Sequence, residues 1–155
     1  MSKVRTGDIA IEGLAELSRA LKNLDPDQAR ELRAANKDAA RIAADAGISR
    51  ARAMGGELAA GASSIRASAG VKSASVGFGG AKAPWMPGAE FGAARDRQRS
   101  RSTGSYVGYR QFREWRGAGR TAGYAIYPGI RASEDQIVDQ YTHAIDSLIR
   151  RNFPY

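Results

Sequence analysis

The residues with the clearest capacity for acid–base chemistry lie near the C-terminus. His143 is the only histidine of the chain, and Asp139, Asp146 and Ser147 lie within four residues of it. A histidine close to carboxylates and a hydroxyl can act as a general base or a metal ligand. On a helix, however, these positions form a solvated polar side, and a single histidine does not easily assemble a catalytic triad or a histidine-rich metal site. We therefore expect no enzyme, no metal site and no cofactor.

Two glycine runs, GFGGAK at 77–82 and GAGRTAG at 117–123, are the next candidates. A phosphate-binding loop needs its glycines between a strand and a helix, followed by Lys-Ser/Thr when the ligand is a nucleotide. Prolines follow the first run and a predicted strand follows the second, so we interpret both runs as turns. The chain has no cysteine, which excludes disulfides, thiol chemistry and cysteine-based metal sites.

The most distinctive feature of the sequence is a segment rich in arginine, serine and glycine at 93–121, which we call the basic segment. Between positions 95 and 120 it has eight arginines against two acidic residues, a surplus of six charges out of a net charge of +8 for the whole chain. The arginines are Arg95, Arg97, Arg99, Arg101, Arg110, Arg113, Arg116 and Arg120. Four aromatic residues interleave with the later arginines at three-residue spacing, namely Tyr106, Tyr109, Phe112 and Trp115.

The basic segment has two interpretations. Long loops in compact domains are usually functional or disordered, so it is either a solvated loop or an arm that docks on a partner. Arginine pairs with carboxylates and phosphates in forked geometry and stacks on aromatic rings, so an acidic protein surface or a nucleic acid would suit it. Nothing in it matches a base-reading motif, so any nucleic-acid binding would be non-specific.

The helices and strands that position these residues can be predicted from helix-capping residues and from the spacing of apolar residues. Asp25 and Pro26 predict the start of a long helix that ends near Met54, although Gly47 offers an earlier end. Leucines at intervals of three and four predict a shorter helix over 14–24, after an extended stretch at 8–12. Ser133 and the acidic residues after it predict the last helix, whose wide apolar face comprises Ile137, Val138, Tyr141, Ala144, Ile145, Leu148 and Ile149.

Alternating and aromatic stretches predict strands at 71–80 and 123–129, with a turn-rich connection and a short helix around 58–65 before them. The chain of 155 residues is long enough for one domain, so we expect a single α+β domain over 1–155, in which a small antiparallel sheet packs against a long N-terminal helix and a C-terminal helix. The apolar residues are largely alanine, so the core is thin and contacts between copies can supply part of the stability. The chain contains no run of about 18 apolar residues, so we expect no membrane-spanning helix. Its first residues lack the long apolar run of a signal peptide.

The order of these parts resembles the tail-completion or neck family of long-tailed bacteriophages, which joins tail to head. The resemblance is carried by short motifs spread over most of the chain. They are Gly13-Leu14 at the start of a helix, Glu90-Phe91-Gly92 at the end of a strand, and Tyr127-Pro128-Gly129-Ile130 before the last helix. The sequence YPGIRAS replaces the family's usual Pro-Phe-Leu stretch, and the basic segment is longer than the family pattern.

The resemblance implies a structural virion protein at the head–tail junction. Copies of the chain would form a ring, with six as the expected number, that completes or terminates the tail tube. Its partners would be further copies, the head connector or stopper protein, the tail tube protein and the duplex DNA that passes through the lumen. The chain would assemble in the host cytoplasm without contacting a membrane. The basic segment would pair with acids of an adjacent subunit, such as Asp139 and Asp146, or with the passing DNA. The alternative is a non-specific nucleic-acid-binding protein that uses the basic segment as its arm.

Overall fold

A computed structural model describes residues 25–93 and 112–152 of the chain. Within these residues there are five α-helices and one two-stranded antiparallel sheet, with a long first helix and a long last helix. The prediction of an α+β fold with a small antiparallel sheet is confirmed. The predicted extended stretch at 8–12, the predicted helix at 14–24 and the motif Gly13-Leu14 lie outside the described residues.

The long helix, α1 (Pro26–Met54), is the element on which the rest is built. It begins as predicted: the Asp25 carboxylate accepts a hydrogen bond from the Asp27 amide at 3.3 Å, and Pro26 takes the first position, where its missing N–H is harmless. Its 29 residues span about 43 Å at 1.5 Å per residue. Gly47 does not end the helix, because the alanines around it have high helix propensity and its bare backbone packs against Ile126.

A hairpin lies across α1. After α2 (Gly56–Gly61) and a 3₁₀ turn, strands β1 (Arg66–Ala69) and β2 (Ala74–Gly77) pair with Arg66 opposite Gly77. The buried Asn36 amide donates to the carbonyls of Gly70 and Val71 at 2.9 and 3.0 Å, which fastens the hairpin turn to α1. The predicted strand at 71–80 is therefore shorter than expected, and its partner β1 lies where we predicted only a connection.

The predicted strand at 123–129 is wrong. Residues Ile126–Ala132 form a helix, α4, and Glu90-Phe91-Gly92 ends a short helix, α3 (Met86–Phe91), where the family pattern led us to expect the end of a strand. Aromatic and β-branched residues favour a strand locally, but tertiary contacts override this preference when a helix end is capped from elsewhere. That cap comes from the Glu90 carboxylate.

Helix α5 (Glu134–Asn152) runs antiparallel to α1 along its N-terminal half. Near its start, Ile137 and Tyr141 pack on Ala39 and Ala43, and near its end Arg151 forms an ion pair with Glu31 at 3.4 Å. The helix is confirmed, but its predicted apolar face is only partly covered. Ile137, Tyr141 and Leu148 are buried, whereas Val138 and Ile149 remain 50% and 39% exposed.

Small residues make up most of the described core. Eleven of its nineteen buried apolar residues are alanines, gathered around larger side chains such as Leu32, Met86 and Ile126. Backbones can therefore approach closely: a Cβ added to Gly129 on α4 would lie 2.8 Å from the Ala46 carbonyl oxygen of α1. Such a core buries little area per residue, which agrees with the thin core expected from composition.

Candidate interaction site at the basic cleft

The cap of α4 is a buried carboxylate from a distant part of the chain. Glu90 is fully buried, and its carboxylate accepts hydrogen bonds from the backbone amides of Ala125, Ile126 and Tyr127 at 3.0, 2.9 and 3.0 Å. The next residue, Pro128, has no N–H to satisfy. The backbone amides at the start of α4 therefore have hydrogen-bond acceptors. The negative charge of Glu90 lies at the helix N-terminus, where the helix dipole favours it.

The residues around this cap form one structural cluster. The Phe91 ring lies 5.3 Å from the Tyr127 ring and 6.2 Å from the Trp115 ring, measured between centroids. Glu90, Phe91, Gly92 and Pro128, which sequence motifs singled out, are therefore brought together although 38 positions separate the first from the last. Their visible role is to hold α3, α4 and the end of the basic segment in place.

The end of the basic segment is fixed against α3 by backbone contacts. The Ala93 amide donates to the Arg113 carbonyl at 2.9 Å, and the Arg116 amide donates to the Phe91 carbonyl at 2.5 Å. Gly92 has a positive φ of 76°, and a Cβ there would collide with the Glu114 carbonyl oxygen. The segment passes so close at this point that only glycine fits.

Beside these contacts lies a shallow cleft of about 640 Å³ that is open to solvent. We call it the basic cleft, and it is lined by Arg50, Ala53, Met54, Arg113, Glu114, Trp115, Arg116 and Tyr124. Three arginines face a single carboxylate, so the cleft is positively charged. Enclosed small-molecule sites have similar volumes, but this one is open and suits a protruding surface better than a small ligand.

Tyr124 organises the arginines of the cleft. The guanidinium carbons of Arg113 and Arg116 lie 5.3 and 4.9 Å from the centre of its ring, within the range of cation–π attraction. Its hydroxyl donates to the Glu114 carbonyl at 2.6 Å. Two guanidinium groups are thereby pre-ordered beside an exposed indole, because Trp115 remains 54% exposed.

The structure places the sequence-predicted arginines unequally. Arg113 and Arg116 line the cleft, and Arg120 lies exposed in a 3₁₀ turn at Gly119–Thr121. The other predicted arginines lie outside the described residues, namely Arg95, Arg97, Arg99, Arg101 and Arg110. Arg50 was missed, since nothing in the periodicity of α1 indicates that the basic segment returns to it.

The predicted acid–base residues do not gather into a site. His143 is exposed on α5, away from the cleft, and among residues 25–93 and 112–152 no three His, Asp or Glu side chains lie close enough to hold a metal ion. In the same ranges no helix is sufficiently long and apolar to span a bilayer.

No protein-family model, curated protein or solved structure matches the chain. The resemblance to phage neck proteins therefore remains a prediction from sequence motifs.

Proposed function

We propose that this chain is a structural subunit of a ring at the head–tail junction of a long-tailed bacteriophage. It would complete or terminate the tail tube, join it to the head connector and leave a lumen for duplex DNA. The proposal starts from the sequence resemblance. The observation that carries it further is the described surface, which combines a pre-ordered arginine and aromatic cleft with outward-facing large apolar side chains.

Such a surface is typical of a protein that works by contact. Tryptophan and arginine are the residues that most often dominate interface energies, and both lie together in the basic cleft. On another part of the surface, Val138 and Ile149 of α5 expose apolar side chains to water, which is unfavourable unless a partner covers them. A subunit with a thin alanine core would also gain stability from contacts between copies.

Self-association is the first test. Sedimentation equilibrium over a wide range of concentration should show a concentration-dependent rise in mass, and six copies of the 16.5 kDa chain would reach about 99 kDa. Negative-stain images should show rings, and a label on the chain should map to the neck of phage particles. A chain that stays monomeric at every concentration and is absent from particles would overturn the proposal.

A non-specific nucleic-acid-binding protein is the second candidate, because the three arginines of the cleft also suit phosphates. If they alone contact DNA, the logarithm of the affinity should fall with the logarithm of the salt concentration with a slope of roughly −2.7. Arg113→Ala with Arg116→Ala should then weaken duplex binding measured by fluorescence anisotropy. Lys72→Ala with Lys82→Ala, on exposed loops, is the control. Equal binding by both double variants would exclude the cleft as a DNA site.

A further inference from the structure

We propose that the basic cleft of one copy receives the outer face of helix α5 of the next copy, in a head-to-tail contact. This inference rests on the proposed ring function and names the two surfaces through which the ring would close. It is drawn from the placement of charge and apolar surface on the described residues.

The first surface is an apolar strip on α5. At about 100° per residue, Val138, Thr142, Ile145 and Ile149 fall within an arc of about 60° on the helix. Val138 and Ile149 are exposed and Ile145 is half-buried, while the neighbouring arc with Ile137, Tyr141 and Leu148 packs on α1. Ile145 also packs against the contact between α1 and α5, so the strip borders that contact and faces outward at Val138 and Ile149.

Carboxylates border this strip on its solvent side. Asp135, Asp139 and Asp146 fall on the adjoining arc of about 40°, and all three are exposed. The strip and these three aspartates together are the outer face of α5. Among the described residues the ion pairs are Arg30–Asp27, Arg41–Asp38 and Arg151–Glu31, so none of these aspartates is paired there.

The second surface, the basic cleft, has the complementary pattern. It offers Trp115 and Met54 as apolar contacts and Arg50, Arg113 and Arg116 as positive charges. An apolar strip edged by three carboxylates matches an indole and a thioether edged by three guanidinium groups. Complementary charge sets the register of an interface and the desolvated aromatic residue supplies much of its affinity.

The two surfaces lie at different places along the same rigid helix, α1. The cleft contains Arg50, near the C-terminal end of α1, whereas α5 packs on Ala43 near its start and reaches Glu31 near its end. Along α1, Arg50 is therefore seven to nineteen residues, about 10 to 28 Å, from the positions that α5 contacts. A contact between two different surfaces of identical chains is heterologous, and repeated rotation either closes it into a ring or extends it into a filament.

Exchanging the charges tests the contact. Arg50→Glu with Arg116→Glu reverses charge in the cleft, and Asp139→Lys with Asp146→Lys reverses it on α5. Each pair should raise the dissociation constant of self-association roughly tenfold or more, since like charges then face each other. The four changes together restore opposite charges and the native net charge of +8, and should return the constant to within about threefold of the native value. Lys72→Glu with Lys82→Glu, exposed elsewhere, should have no such effect.

Cross-linking provides a readout that does not depend on affinity. The chain has no cysteine, so single cysteines can be introduced without interference. Ala53→Cys in the cleft mixed with Val138→Cys on the outer face should give cross-linked heterodimers with a short bis-maleimide. Ala53→Cys mixed with Ser147→Cys is the control, because Ser147 is exposed on α5 about 180° from Val138. Because each cysteine is on a separate chain, every heterodimer is an intermolecular contact.

The outcomes separate this inference from the proposed function. If rings form but neither charge pair weakens them, or if both cysteine mixtures cross-link equally, the head-to-tail contact is wrong and the ring function stands. If the Arg50 and Arg116 changes abolish DNA binding and leave assembly unchanged, the cleft is a nucleic-acid site and the inference fails. If the native chain does not self-associate and is absent from phage particles, both proposals fail.

Discussion

The cap on α4 gives the sharpest quantitative prediction. Two oxygens of Glu90 accept three backbone amides, two at Oε2 and one at Oε1. Glu90→Gln keeps the shape of the side chain but leaves a single acceptor oxygen, so at least one amide must face an NH₂ group. The charge that favoured the helix N-terminus is also lost.

The magnitude follows from these losses. One buried donor without an acceptor costs about 1–3 kcal/mol, and hydrogen bonds to a charged group contribute about 1.5–3 kcal/mol against about 1 kcal/mol for a neutral one. We expect a loss of about 3–4 kcal/mol in the free energy of unfolding, a large part of the roughly 5–15 kcal/mol that holds a typical domain together. For a chain of this size that corresponds to a melting temperature roughly 6–16 °C lower.

Thermal and urea denaturation followed by circular dichroism will measure this loss. Glu114→Gln is the matched control, because Glu114 is exposed and its change should stay within about 0.5 kcal/mol. If Glu90→Gln melts at the same temperature as the native chain, the carboxylate does not cap α4 and our account of this helix is wrong.

Three further predictions use the same denaturation assays. Gly92→Ala should destabilise the chain by several kcal/mol, since its Cβ would meet the Glu114 carbonyl. Gly55→Ala should cost only about 1 kcal/mol, because Gly55 has a similar φ of 72° but no described residue within 4 Å of an added Cβ. Equal losses would contradict the close approach at Gly92. Asn36→Ala should cost about 2–4 kcal/mol, since two loop carbonyls lose their buried donor, and a neutral result would mean that water replaces it. Burial raises the pKa of the Tyr141 phenol above its ordinary value of about 10, so the folded chain holds this proton more tightly and the free energy of unfolding should fall as pH rises above about 10. Tyr141→Phe should remove that part of the pH dependence and be neutral or slightly stabilising at pH 7, because the buried hydroxyl has no hydrogen-bond partner among residues 25–93 and 112–152. A large destabilisation would show that the hydroxyl is bonded.

The long helices could be predicted because their signals are local. An aspartate cap with a following proline marks the start of α1, and apolar residues at intervals of three and four mark α5. The β1–β2 hairpin was half missed, because the sequence of β1, RASA, has little strand preference and is held by Asn36 and Lys37 from α1. The helix at 126–132 was missed because its cap lies some 35 positions earlier in the chain.

The candidate site was predicted in the same uneven way. The interleaving of arginines with aromatic residues pointed to Arg113 and Arg116 as candidates for docking, and both line the cleft, while docking itself stays a prediction. Arg50 could not be found from sequence, because it becomes part of the cleft only when the basic segment folds back on α1. The exposure of Val138 was also hidden, since helical periodicity identifies an apolar face but not how much of it the core covers.

The hydrogen bond between Ala93 and Arg113 has a consequence for chain length. It holds two positions that are twenty residues apart in the sequence next to each other on the described scaffold. Between two fixed points, each doubling of the length of a flexible connection costs only about 0.6 kcal/mol of entropy. The described scaffold therefore sets where the chain leaves and where it returns, and places little constraint on the number of residues between.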